Sequence, residues 1–109
     1  MKMFSKLLNK TIFITGSSSG IGQHLAQMYV EQGANIILAS RRIEKLNELK
    51  NQLVLQKISK EQQISVLEMD VTIPESIVDG FQKAFQQHNQ IDILINNAGR
   101  YIRYILQMS

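Results

Sequence analysis

Residues 11–22 read Thr11-Ile12-Phe13-Ile14-Thr15-Gly16-Ser17-Ser18-Ser19-Gly20-Ile21-Gly22, and they set the reading of everything around them. Thr11 to Ile14 is a short apolar, β-branched run, the composition of a buried strand. Gly16, three serines, Gly20 and Gly22 break it, and beyond them Leu25, Ala26, Met28 and Tyr29 recur at helical spacing. The order is strand, glycine-rich turn, helix. A helix start carries unpaired backbone N–H groups and the positive end of the dipole, so it attracts a phosphate. Glycine lets the backbone turn sharply and approach a ligand closely, having no Cβ. The three serine hydroxyls add donors at the same place. The spacing is Gly-x-x-x-Gly-x-Gly rather than the Gly-x-Gly-x-x-Gly of the older dinucleotide fingerprint. Taken alone, such a loop is also compatible with an ordinary strand-to-helix turn.

Working outward, the first helix is expected to run to about Gln32, with Gly33 in the helix-ending position that favours positive φ. Asn35 to Ser40 reads as a second strand, its Ile36-Ile37-Leu38 run suiting a parallel strand covered on both faces. Ile43, Leu46, Leu49 and Leu53 mark a second helix, with Glu44, Lys45, Asn47 and Glu48 on its wet side. Residues 56–63 are polar and read as a helix end and loop. Ile64 to Asp70 is a third strand. Thr72-Ile73-Pro74-Glu75 has the form of a capping box with proline in the first turn. The third helix places Ile77, Val78, Phe81, Ala84 and Phe85 on one side, and Ile91 to Ile95 is a fourth strand ending in Asn96-Asn97-Ala98-Gly99. The pattern βαβαβαβ predicts an α/β fold, a doubly wound parallel sheet of Rossmann type with right-handed crossovers. The expected strand order is 3-2-1-4, with a ligand at the carboxyl ends where the order reverses. Residues 1–109 read as one domain, with no internal repeat and no linker.

The totals narrow the function classes. The 109 residues suffice for one small domain, at 44% hydrophobic and 19% charged. The net charge of +3 comes without a long basic run, so nucleic-acid binding is not indicated, while a mild positive balance suits an anionic cofactor. There are no cysteines, which rules out disulfides and thiolate metal sites. His24 and His88 are isolated and read as solvated surface, not as zinc ligands. Met1 to Lys10 lacks the continuous apolar stretch of a signal peptide or transmembrane segment, so a cytoplasmic location is the default, with membrane association left open.

Four strings, in order and spacing, resemble those of the short-chain dehydrogenase/reductase family over residues 10–99. Thr15-Gly16-Ser17-Ser18-Ser19-Gly20-Ile21-Gly22 is similar to its coenzyme motif, which assigns Gly16, Ser18, Ser19, Gly20, Ile21 and Gly22 to cofactor binding. Ala39-Ser40-Arg41-Arg42 is the second string. At the end of this strand an acid would bond a ribose 2′-hydroxyl and select NAD(H), whereas a nearby arginine accommodates a 2′-phosphate. This chain has no acid at Ser40, and the resemblance implies that Arg41 holds the 2′-phosphate of NADP(H), with Ser19 as a second contact. At Asp70-Val71-Thr72 it implies that Asp70 accepts from the adenine amino group and Val71 touches the ring; Asp70 is equally suited to a helix-start role. At Asn96-Asn97-Ala98-Gly99 it implies that Asn96 ties the sheet together and that Asn97, Ala98 and Gly99 border the adenosine ribose. Ser40-Arg41-Arg42, the polar second helix and Arg100-x-x-Arg103 further resemble the animal dehydrogenase/reductase branch.

The implied reaction is hydride transfer between NADP(H) and a small-molecule carbonyl or alcohol. In the family a tyrosine moves the proton and a lysine four residues later lowers its pKa, a spacing that puts both on one helix face. Here Gly33, Ile105 and Met108 follow Tyr29, Tyr101 and Tyr104 at that distance, so the pair is absent and no catalytic residue is assigned. Two readings stand: the coenzyme-binding part of an oxidoreductase, inactive alone, or a non-catalytic nucleotide-binding or interaction module. Strand four is expected to be an open edge that invites pairing with a second copy. The last ten residues, Arg100 to Ser109, are apolar enough to cover part of the sheet.

Overall fold

The computed structural model of the chain describes residues 6–18 and 20–97. Four strands, β1 (Thr11–Thr15), β2 (Asn35–Ser40), β3 (Ile64–Glu68) and β4 (Ile93–Asn96), alternate with α1 (Gly20–Glu31), α2 (Ile43–Val54) and α3 (Pro74–His88). All pairings are parallel and the sheet order is β3-β2-β1-β4, as the sequence pattern predicts. Ile12 pairs with Ile36 on one side and with Ile93 on the other, placing β1 at the centre.

Continuous apolar strands follow from burial on both faces. Because successive side chains alternate, Ile12, Ile14, Ile36 and Leu38 pack with Leu46, Leu49 and Leu53 of α2 and with Ala26 and Val30 of α1. Phe13, Ile37, Ala39 and Leu67 point the other way, against Ile77, Phe81 and Ala84 of α3. Phe13 and Phe81 stack with ring centroids 4.7 Å apart. Gly33 ends the α1 segment at φ +95°, which is why glycine stands there.

Several local expectations need correction. The third helix has no capping box. Its N-cap is Ile73, with no side-chain cap, because Thr72 is engaged elsewhere: its N–H and hydroxyl both donate to Asp70 Oδ1, at 2.9 and 2.6 Å. A local side-chain turn has outcompeted the cap. Val78 and Phe85 are 41% and 49% exposed; only Ile77, Gly80, Phe81 and Ala84 of that helix are buried. β4 begins at Ile93, not Ile91, since the Asp92 side chain accepts from the Thr11 N–H at 2.8 Å where a regular ladder bond would form. β3 stops at Glu68 rather than Asp70, as the Asp70 N–H turns away to donate to Ser76 Oγ.

The polar stretch before β3 contains a buried hub. Gln62 Nε2 donates to the Val30 and Ala34 carbonyls, both at 2.9 Å, and its Oε1 accepts from the Ile58 and Ser59 N–H groups. One side chain thus satisfies the end of α1 and the loop after α2. His88 is likewise not simply solvated. It is half-buried at the end of α3, and its Nε2 lies 2.8 Å from Ser65 Oγ on β3.

Candidate functional site

The carboxyl ends of all four strands open into one cleft of about 410 Å³. Gly16 and Ser18 come from the turn after β1, Ser40, Arg41 and Arg42 from the end of β2, Met69 to Thr72 from the end of β3, and Asn97 from the end of β4. A parallel sheet puts these four ends side by side, at the switch point between β1 and β4 where the strand order reverses.

The turn after β1 is built from inside. Gly16 sits at φ +66°, a conformation that costs a residue with a Cβ. Ser17 is fully buried; its hydroxyl donates toward the Ile14 and Ala39 carbonyls and accepts the Ala39 N–H at 3.0 Å. The expectation that three serine hydroxyls face a ligand therefore fails at Ser17, which ties the turn to β2. Ser18 lines the cleft, and its carbonyl accepts from Gln23 Nε2. Ser19 lies outside the described residues. Gly22 is packed beneath the turn: a Cβ there would stand 2.7 Å from the Gly16 carbonyl oxygen and 3.1 Å from Asn97 Nδ2. Gly20 is different, with nothing among the described residues within 4 Å of a Cβ, and Ile21 is 69% exposed. These three residues open α1 without lining the cleft, and the first turn of α1 carries no acidic side chain. The helix start therefore offers backbone donors and open space to an anion.

On the β2 side, Arg41 and Arg42 are exposed at the cleft wall while Ser40 is buried. Ser40 Oγ accepts the Arg42 N–H at 2.9 Å and donates to Ser18 Oγ at 3.0 Å. On the β3 side, Asp70 is held below its ordinary carboxyl pKa, chiefly by the Thr72 hydroxyl and N–H, with the charge of Arg41 a smaller contribution. Val71 and Met69 complete that wall, Met69 from the core. At β4, Thr15 Oγ1 donates to Asn96 Oδ1 and Asn97 Nδ2 donates to the Gly16 carbonyl at 3.1 Å, so Asn96 ties β4 to β1 and Asn97 ties the end of β4 to the glycine turn. Ala98 and Gly99 lie outside the described residues. Sequence reasoning assigned no role to the Ser40 hydroxyl or to Met69. The serine was legible only as a missing acid, and the methionine carries no polar signal.

The model of the short chain dehydrogenase family matches residues 10–108. The chain belongs to that family. Among relatives of the chain, the dehydrogenase/reductase SDR family protein 7-like of Drosophila melanogaster is 35% identical over 102 residues, covering 94% of the chain and 31% of the relative. Among solved structures, L-sorbose reductase from Gluconobacter frateurii, complexed with NADPH and L-sorbose, superposes at a TM-score of 0.80 with 32% identity, over 90% of the chain and 36% of the reductase. NAD+-bound xylitol dehydrogenase superposes at 0.77 with 25% identity, over 87% of the chain and 35% of that enzyme. The chain thus spans about a third of the length of the relatives it matches. Among the described residues no helix is long and apolar enough to cross a membrane, and no group of acidic and histidine side chains is set to hold a metal.

Proposed function

We propose that this chain is the coenzyme-binding part of a short-chain dehydrogenase/reductase that moves hydride between NADP(H) and a small carbonyl or alcohol substrate. Family membership supports the dinucleotide. The open space over Gly20, the donors of the α1 start and Ser18 suit its pyrophosphate, with Ser19, Ile21 and Gly22 completing the motif. Asp70 and Val71 suit the adenine, and Asn97, Ala98 and Gly99 the ribose that follows. Asp70 has acceptor capacity to spare for an adenine amino group, since only Oδ1 is engaged by Thr72.

The single observation that carries the choice of NADP(H) over NAD(H) is at the end of β2. The residue there is a serine, and Arg41 stands beside it at the cleft wall. The structural neighbours include one complexed with NADPH and one bound to NAD+, so likeness alone does not choose. A charge-assisted contact from a guanidinium to a phosphate is worth about 1.5–3 kcal/mol, roughly ten- to a hundredfold in affinity.

The chain's own residues stop at binding. Tyr29, the described tyrosine, packs against the core formed with α1 and α2, and no lysine follows any tyrosine at four residues. The test is a titration of the purified chain with NADPH and NADH, followed by addition of a panel of aldehydes and ketones to the same samples. NADPH is expected to bind about ten- to a hundredfold more tightly, with no oxidation. Arg41→Asp is expected to reverse the preference by removing the partner and adding a like charge. Equal affinities, or tighter NADH, would sink the NADP(H) assignment.

A further inference from the structure

We infer that Gly80 of α3 is a positioning residue for the cleft: it leaves the slot that holds the Met69 methyl group, and so keeps the wall beside Asp70 and Val71 clear for a flat base. The inference rests on the nucleotide reading above and gives a helix residue outside the cleft a part in setting its shape.

Met69 bridges the core and the cleft. It is 2% exposed and packs with Phe13, Leu67, Ile77 and Phe81, yet it lines the cleft beside Asp70 and Val71. Its backbone is fixed, because its N–H donates to the Ser40 carbonyl at 3.0 Å. Its side chain ends against Gly80. A Cβ placed on Gly80 would stand 2.3 Å from Met69 Cε, with Met69 Cγ and Cβ at 3.6 and 3.7 Å. Carbon atoms in ordinary contact lie about 3.5–4.0 Å apart, so a side chain at position 80 and the Met69 methyl cannot share this space. Gly80 stands in the interior of a 15-residue helix, where glycine is less favourable than alanine. The Met69 tip fills the room that an alanine would need.

The helix is the stiffer partner in this contact. Before Gly80, Ser76 Oγ accepts the Asp70 N–H at 2.8 Å and Ile77 is buried; after it, Phe81 stacks on Phe13 with centroids 4.7 Å apart and Ala84 is buried. Methionine is unbranched, with three rotatable bonds. A methyl group at position 80 therefore moves the Met69 tip and leaves α3 in place. The core around that tip is close-packed, and the direction with room is the cleft of about 410 Å³. The displaced thioether would stand where the adenine is placed, without the loss of any hydrogen bond that holds the fold.

The experiment measures the affinity of the full 109-residue chain for 5′-AMP in wild type, Gly80→Ala, Met69→Ala and the double variant, with thermal melts of each. Gly80→Ala is expected to weaken 5′-AMP about five- to tenfold while melting no lower than wild type. In the Met69→Ala background the same substitution should change affinity by less than about twofold, because no tip is left to displace. A folded Gly80→Ala chain with wild-type affinity, or a loss that persists undiminished in the Met69→Ala background, would overturn the inference alone. Where Gly80→Ala does not fold, wild type labelled with ¹³C at the methionine methyl groups decides. The Met69 resonance, identified by its loss in Met69→Leu, should shift on addition of 5′-AMP, and a resonance that stays in place at saturation would overturn the inference. Wild type that does not bind 5′-AMP would overturn the nucleotide reading and this inference with it.

Discussion

The two faces of the sheet are built from the same four strands, yet they are covered unequally. On one face α1 and α2 together bury Ile12, Ile14, Ile36 and Leu38, and Leu46 and Leu53 are wholly enclosed. On the other, α3 is the one helix among the described residues that covers Phe13, Ile37 and Leu67, and Phe81 keeps 9% exposure. Beside it Leu94 and Ile91 are only half-buried, and Val78 and Phe85 stand open. The cause is topological. The β1-to-β2 and β2-to-β3 crossovers run in one direction across the sheet and, being right-handed, put both helices on the same side. The β3-to-β4 crossover runs back across the sheet and puts α3 on the opposite side. Among the described residues, the second face thus has one helix for four strands. The cleft at the carboxyl ends belongs to neither face, which is how a site can be organised above an unevenly covered core.

Three measurements would break or sharpen this contrast. The largest effect is expected on the two-helix face, where Leu53→Ala should cost about 2–5 kcal/mol by opening a cavity between α2 and the sheet. Urea unfolding would read it, and a loss below about 1 kcal/mol would mean that this face is not the rigid one. On the one-helix face, Phe85→Ala should change stability by no more than about 0.5 kcal/mol, since a half-exposed side chain gives up little on truncation. A loss near that of Leu53→Ala would show the face to be covered in solution, by residues 98–109 or by a second copy, and dilution would separate those two because only the second depends on concentration.

The smallest effect is a pH dependence on the one-helix face. Partial burial beside Ser65 holds the His88 pKa below the ordinary imidazole value of 6.5. Folding therefore favours the neutral ring. As pH falls below about 6.5 the unfolded chain takes up a proton before the folded chain does, and stability declines until the folded pKa is passed. Asp70 and Asp92 have lowered pKa values for a different reason, hydrogen bonds to Thr72 and to the Thr11 N–H. Their contribution is present above their ordinary value of 3.8 and is lost as pH falls from there through their folded pKa values. Unfolding midpoints at pH 7.5 and 5.5 should differ less in His88→Gln than in wild type. An unchanged difference would show that the Ser65–His88 contact carries no proton linkage.

Much of this was legible in the residues themselves. Asn35–Ser40 shows its strand by an unbroken apolar run, because a parallel strand is buried on both sides. Gly16, Gly22 and Gly33 stand where a positive φ or a close approach excludes a Cβ. The relation between Arg41 and the absent acid at Ser40 needs only the end of one strand. What the sequence could not decide was which of several chemically able groups would win a shared partner. Thr72 could have capped α3, but Asp70 took both its donors. Ser17 could have faced a ligand, but the Ala39 backbone needed its hydroxyl. Val78 and Phe85 fit an apolar helix stripe, but no second helix among the described residues is there to bury them. Gln62 and His88 look like surface residues until distant carbonyls and a strand serine close around them. Local propensity, periodicity and glycine chemistry act over a few residues and are written in the chain; competition for hydrogen bonds and for cover is settled between segments, and only the tertiary structure brings those segments together.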